Sequence, residues 1–348
     1  MGWLGTQLGR LVAGVAGAPP LELIFVPSLP AAGIPGMDIA IEPDACYIEL
    51  YLESMRLNRA RKFATNFHPV FYSFVSLIRE GEPRALLTAV SRPEGLMSIS
   101  PDSIDKAIPL SKQLMGRTAF RGNPVSLELG LFSVKSGNLL SPIVNYVTRV
   151  SEVAGISCVG AIKPFVPLII DGMDLIAGQS NDTSLEVGVD TDMNIRTSGV
   201  AAIIAKPKGT LDVTKLSLDQ DHKLLFDGKP LESGYAVFSI RHSLQKNDFG
   251  EIPDLKERYA ALQAAIRSND KKNVQDALTA FRLATLASPD LIPSDARNLV
   301  DKAKKKVKDA MGGQASPESF ELETLAEIGL YDTTPKYQLR RQAGRRSR

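Results

Sequence analysis

The sequence predicts an α+β protein: a β-rich, sandwich-like body with inserted helices, followed by a C-terminal three-helix unit. Three observations predict it. Short runs of alternating apolar and polar residues, bounded by Gly, Pro, Asn and Asp, recur from residue 21 to about residue 241. The apolar period then lengthens from two to about 3.6 at Pro253. Between them, residues 126–178 hold only seven charged residues in 53 positions, against 23% for the chain, so this stretch is where the body buries itself. The expected units are a docking helix at 1–20, the body at 21–250, three helices at 251–313, and a linker, short helix and basic tail at 314–348.

Composition narrows the class. The chain has 348 residues, 44% of them apolar, and a mean hydropathy of −0.04, as ordinary globular proteins do. A net charge of +2 gives the molecule no strong field for nucleic acid or membrane. Cys46 and Cys158 lie in apolar surroundings and are too few for a disulfide framework or a metal cage. A reducing, cytoplasmic setting is the expectation, with membrane association left open. The most apolar 21-residue window, 156–176, contains Lys163, Asp171, Pro164 and Pro167. At roughly 2.5–3.5 kcal/mol per central charge it is a poor membrane span.

In chain order, Leu4, Leu8, Leu11, Val12 and Val15 fall on one helical face, to which Trp3 adds. Five glycines within residues 1–18 weaken this helix by roughly 1 kcal/mol each, so it should form only with its face occupied. Trp3, Leu4, Leu8, Leu11 and Val15 are therefore expected to dock on protein, with a membrane surface as the second reading. Strands are expected at 21–27, 37–43 and 45–58, where Tyr47, Glu49, Tyr51 and Glu53 alternate with Ile48, Leu50 and Leu52. Residues 69–78 and 84–91 should form a hairpin across a five-residue loop. Ser100 and Pro101 predict a helix start, continued by an amphipathic stretch at 104–115.

A strand is expected at 127–134, then a helix from about residue 141 with Pro142 in its first turn, and a second apolar segment at 164–176. Residues 184–190 and 195–209 read as a hairpin around the loop 191–194. Strands at 211–219, 223–231 and 235–241 follow, with Asp227-Gly228 as a turn. Three helices close the folded part. Their apolar faces are Leu255, Tyr259, Leu262 and Ile266; Val274, Leu278 and Phe281; and Ala296, Leu299, Val300, Ala303, Val307 and Ala310. Short links make them neighbours. Beyond them, Phe320, Leu325, Ile328 and Leu330 anchor a short helix expected to dock on a partner. The last 13 residues hold six cations and no acid. Of these, Lys336, Arg340, Arg341, Arg345 and Arg346 are expected to contact acidic protein or phosphate. With little aromatic interleaving the tail is not suited to stacking on bases, so nucleic acid is expected, if anywhere, only there.

Strong catalytic signatures are missing from the sequence: it has no P-loop, G-x-G-x-x-G, G-x-S-x-G, H-E-x-x-H or paired C-x-x-C. No catalytic residue and no cofactor is assigned. His68 and His242 read as strand-end residues. His222, within Asp219-Gln-Asp221-His222, reads as part of a turn rather than a metal site. Asp190 and Asp192 are weak calcium ligand candidates, because a D-x-D at a hairpin tip can cluster hard oxygen donors.

The stretches LELGLFSVKSGNLLSPIVNYVTRVSEVAG, FVPLIIDGMDLIAG and SPDLIPSDARNLVDK resemble a type of bacterial protein found beside multi-component signalling or defence systems. The resemblance covers residues 38–302 and implies an accessory or adaptor role, with no activity, cofactor or site residue attached. The expected function is a non-enzymatic interaction protein that holds other proteins, or its own copies, through its two ends. A peripheral membrane effector and an enzyme with a scattered site are the alternatives.

Overall fold

The computed structural model describes residues 21–30, 34, 36–56, 61–62, 65–79, 82–90, 108–135, 183–207, 209–312 and 324–331. Contacts divide the chain into two compact units, Met1–Leu244 and Gln245–Arg348. The expected docking helix at 1–18, the central helices within 141–176, Phe320 and the basic tail lie outside the described residues.

The first unit is built on antiparallel sheets. One has the order β1-β9-β13-β2-β6, from β1 (Leu21–Leu29), β9 (Gly199–Pro207), β13 (Tyr235–Ser243), β2 (Tyr47–Arg56) and β6 (Ile108–Ala119). The second joins β3 (Arg61–Lys62), β4 (Thr65–Arg79), β5 (Glu82–Val90), β7 (Val125–Lys135) and β8 (Thr183–Met193). Strands β5 and β8 approach β6 and β9 respectively, so the sheets adjoin along these strands. A three-stranded ribbon, β10 (Leu216–Leu218), β11 (Leu224–Phe226) and β12 (Lys229–Pro230), completes the unit.

Apolar patterning explains how the ribbon is held. Leu216, Leu218, Leu224 and Leu231 are buried in one cluster with Val26, Val200, Ala202, Ile204, Tyr235 and Val237 of the first sheet. Asp227 and Gly228, both at positive φ (52° and 74°), make the tight turn between β11 and β12. Two residues in the left-handed region are what such a turn demands. In β2, Ser54 pairs with Val237 and Leu52 with Phe238, so Glu53 is an extra residue, a bulge.

The strand expected at 37–43 does not form: Ala40 makes only an isolated bridge to Thr197. Of the strand expected at 211–219, Val213–Lys215 is a 3-10 turn and only Leu216–Leu218 is extended in a sheet. Two further sequence expectations fail here. Residues 108–115, the described part of the stretch expected to be helical at 104–115, lie in β6 (Ile108–Ala119), an edge strand on β2. The register between them shifts at three places, between Ile48 and Leu50, Leu50 and Tyr51, and Leu52 and Ser54. Each shift breaks the two-residue alternation, which leaves Ile108, Leu110, Leu114 and Met115 at helix-like spacing. Tertiary pairing overrides that local pattern. The second failure is the expected hairpin at 184–209. β8 pairs with β7 and β9 pairs with β1 and β13, so the connection crosses between sheets. Ser198 pins that crossing: its hydroxyl donates to Gly36 O (2.8 Å) and accepts from Ile39 N (2.9 Å). The hairpin at 69–91 does form, with a tighter turn than expected, Arg79 pairing with Glu82.

The second unit contains α1 (Pro253–Ser268), α2 (Lys271–Ala287) and α3 (Pro293–Met311). Pro253 and Pro293 sit in first turns, where the missing N–H costs nothing. Asp270 caps α2, its carboxylate accepting from Lys272 N (2.9 Å) and Asn273 N (3.4 Å). The buried faces are Leu255, Tyr259, Leu262 and Ile266 on α1, Val274 and Phe281 on α2, and Ala296, Leu299, Val300, Ala303 and Ala310 on α3. Tyr259 packs on Phe281 at 5.4 Å between ring centroids.

Candidate functional site

Two arrangements bring chemistry-bearing residues together. The first lies where the ribbon meets the sheet in the first unit. Bulged Glu53 is fully buried (0% exposed). Arg241 Nη2 reaches one of its oxygens at 2.7 Å, and the Ser239 hydroxyl donates to that same oxygen. His222 Nδ1 stands 3.3 Å from the other oxygen. Arg241 also stacks over the Tyr51 ring, 3.8 Å from its centroid. Further along the same strand, Glu49 accepts from Gln113 Nε2 (3.1 Å) and Arg117 Nε (3.3 Å). Burial, with Glu49 next, raises the Tyr51 phenol above its ordinary value.

The turn that presents His222 is built by its neighbours. Asp219 Oδ1 accepts from Asp221 N (2.9 Å) and Lys223 N (2.8 Å). His222 itself takes φ +60°, and its carbonyl accepts from Ser54 Oγ (2.5 Å). Lys223, bonded to Asp221 (2.8 Å), holds that exposed carboxyl below the usual range. The acids in this segment thus build the turn, as the sequence suggests, while the imidazole turns to a carboxylate 169 positions earlier in the chain. A carboxylate that orients an imidazole can serve a general base. Here Arg241 and Ser239 share the same carboxylate, which makes the cluster an electrostatic clamp between sheet and ribbon.

The second arrangement lies in the second unit. Residues 324–331 do not form the expected longer helix in their described part. They make one turn and a bend, a strap. Thr324 and Glu327 form a reciprocal cap: Glu327 Oε2 accepts from Thr324 N (2.5 Å) and Oγ1 (2.9 Å), and Glu327 N donates to Thr324 Oγ1 (3.4 Å). Those bonds, the backbone one first, lower the Glu327 carboxyl. Gly329 at φ +60° ends the turn.

Polar groups on α3 and on the stretch before α1 fasten the strap. Asn298 Nδ2 donates to Leu330 O (2.5 Å) and Lys302 Nζ to Gly329 O. The Tyr331 hydroxyl donates to Asp295 Oδ2 (2.6 Å) and accepts from Lys246 N (2.7 Å). The Lys246 side chain, fully buried (0% exposed), sits 2.9 Å from Asp248 Oδ1. Leu325, Ile328 and Leu330 are buried. Burying three such side chains is worth roughly 5–9 kcal/mol and four hydrogen bonds roughly 2–6 kcal/mol. Fixing eight residues costs roughly 8–16 kcal/mol. The strap is held close to balance.

Of the residues singled out in the sequence, Leu325 and Ile328 are therefore placed on the chain's own second unit. Trp3, Leu4, Leu8, Leu11, Val15, Phe320, Lys336, Arg340, Arg341, Arg345 and Arg346 lie outside the described residues. Asp190 and Asp192 are not at a hairpin tip: they stand within β8, opposite Glu128 and Ser126 of β7. Among the described residues no group of three or more His, Cys, Asp or Glu side chains is placed to hold a metal ion. His68 lies inside β4, opposite Val134, rather than at a strand mouth. The Glu53 cluster escapes sequence reading because its members are far apart in the chain. The alternation of Glu49, Tyr51 and Glu53 with apolar residues is its one local sign. No helix among the described residues is long and apolar enough to cross a membrane. Comparison with known proteins finds no matching family model, no similar curated protein and no similar solved structure.

Proposed function

We propose that this chain is a non-enzymatic interaction component of a multi-protein bacterial assembly, acting in the cytoplasm and docking through its terminal segments. The observation that supports this best is the strap, a short C-terminal peptide seated on a helical unit through main-chain carbonyls and apolar anchors. That is how interaction modules hold peptides. The richest polar cluster, by contrast, spends its buried carboxylate on its own neighbours, which favours a structural over a catalytic role for it. Leu283 and Leu286, one turn apart on α2, are exposed and add apolar surface to the same unit. The amphipathic pattern of residues 1–18 and the basic tail suit protein partners with apolar and acidic surfaces.

The experiment is native purification of the full chain from its source, beside versions lacking residues 1–18 or 332–348, both of which keep the strap. A stoichiometric partner held by the full chain and lost on either deletion is the expected result. Copurification of lipid in place of protein, lost with residues 1–18, would instead favour a membrane-surface role.

A further inference from the structure

The second unit carries a groove that the chain itself fills. The Gly329 carbonyl meets Lys302, the Leu330 carbonyl meets Asn298, and the Tyr331 hydroxyl meets Asp295. Those three residues step back along α3 by four and then three positions, which is one helix face. The strap therefore runs along that face against the direction of α3. Gly250 forms the other wall: a Cβ there would stand 2.8 Å from Ala326 Cβ, 2.9 Å from its Cα and 3.0 Å from its N. The strap backbone rests directly on a glycine.

We propose that this groove is a peptide-recognition site for a partner protein's segment of the pattern Leu-Ala-x-Ile-Gly-Leu-Tyr, and that residues 324–331 occupy it in cis as an internal competitor. The inference rests on reading the chain as an interaction component and names its receiving surface. Three contacts set the specificity. Gly250 lets the strap backbone come close, since a Cβ there would stand 2.9 Å from Ala326 Cα and 3.0 Å from its N. The φ of +60° at Gly329 favours glycine. The Tyr331 hydroxyl both donates to Asp295 and accepts from Lys246 N, so phenylalanine would remove one partner from each. The strap belongs to the same chain, so an external segment competes with an intramolecular one. An external segment wins only when the strap is loosened or when the partner brings further contacts.

The test uses a fluorescent peptide of residues 324–331, TLAEIGLY, and the full chain. Tyr331→Ala loosens the strap and leaves the groove lined as before. It should bind the peptide at least ten-fold tighter than the native chain does. Adding Gly250→Ala should abolish that binding, because the new Cβ would meet the backbone of whatever residue stands at the Ala326 position. Equal binding of TLAEIGLY to Tyr331→Ala and to the native chain, or no effect of Gly250→Ala, would overturn the proposal. Loss of helical circular dichroism in both variants would overturn it too, because the strap would then be an obligatory part of the fold. A bound peptide without any copurified partner would sink the assembly reading and keep the groove; a partner without peptide binding would do the reverse.

Discussion

At the scale of single residues, the consequential groups are those buried with a partner far off in the chain. Glu53 is one: its carboxylate is the common partner of Arg241, Ser239 and His222. Glu53→Ala would leave the Arg241 guanidinium partly buried without its acid. Breaking a buried pair from one side costs roughly 3–5 kcal/mol. We expect a loss toward the lower end, because Arg241 keeps some solvent contact, and a smaller loss for Glu53→Gln, which retains an acceptor. Urea unfolding of the two variants measures both; equal stability of Glu53→Ala and the native chain would refute the clamp. Tyr235 is the other. Burial, opposed in part by its bond from Leu224 N (3.2 Å), pushes its phenol up to about 12. The unfolded chain ionises near 10. The folded state is thus the poorer place for the phenolate, and this contribution to stability is full below pH 10. It falls as pH rises from 10 toward 12, by up to roughly 2–3 kcal/mol. Tyr235→Phe should flatten that part of the stability profile, read by denaturant unfolding at pH 9, 10 and 11.

At the scale of elements, local chemistry decides some boundaries and distant pairing decides others. Asp270 is local. It satisfies two N–H groups at the start of α2, so Asp270→Ala should cost about 1 kcal/mol, seen as a lower unfolding midpoint by helical circular dichroism. Such caps, together with Pro253, Pro293 and the apolar faces of the three helices, are legible in the sequence because each is complete within a few residues. The turn at Asp227-Gly228 is legible for the same reason. β6 is not, because its bulged pairing with β2 scrambles the alternation that would identify it. The crossing from β8 to β9 is hidden too, since which strand each one joins depends on partners up to about 180 residues away. The site follows the same division. The turn-forming role of Asp219 and Asp221 can be read locally, whereas His222 meeting Glu53 depends on how the ribbon lies on the sheet.

At the scale of the whole molecule, the two units differ in how their cores are assembled. The first needs strands from both ends of its sequence, β1 with β9 and β2 with β13, before its apolar cluster closes. Folding such a topology requires long loops to be closed early, which is slow. The second unit is local in sequence: α1, α2 and α3 follow one another across short links and bury their faces on each other. A fragment of residues 245–331 should therefore fold alone, with cooperative loss of helical signal on heating. The fragment 245–312, which lacks the strap, makes the sharper comparison. If burial and hydrogen bonds at the strap only just offset the entropy of ordering it, the shorter fragment keeps its helices and loses no more than about 2 kcal/mol. A loss above about 5 kcal/mol would mean that Leu325, Ile328 and Leu330 belong to the core as fully as Leu299 does. Then an external segment could not displace the strap without unfolding the unit. Denaturant titration of the two fragments separates these outcomes, because the exchange of one peptide for another requires a helical unit that stands without either.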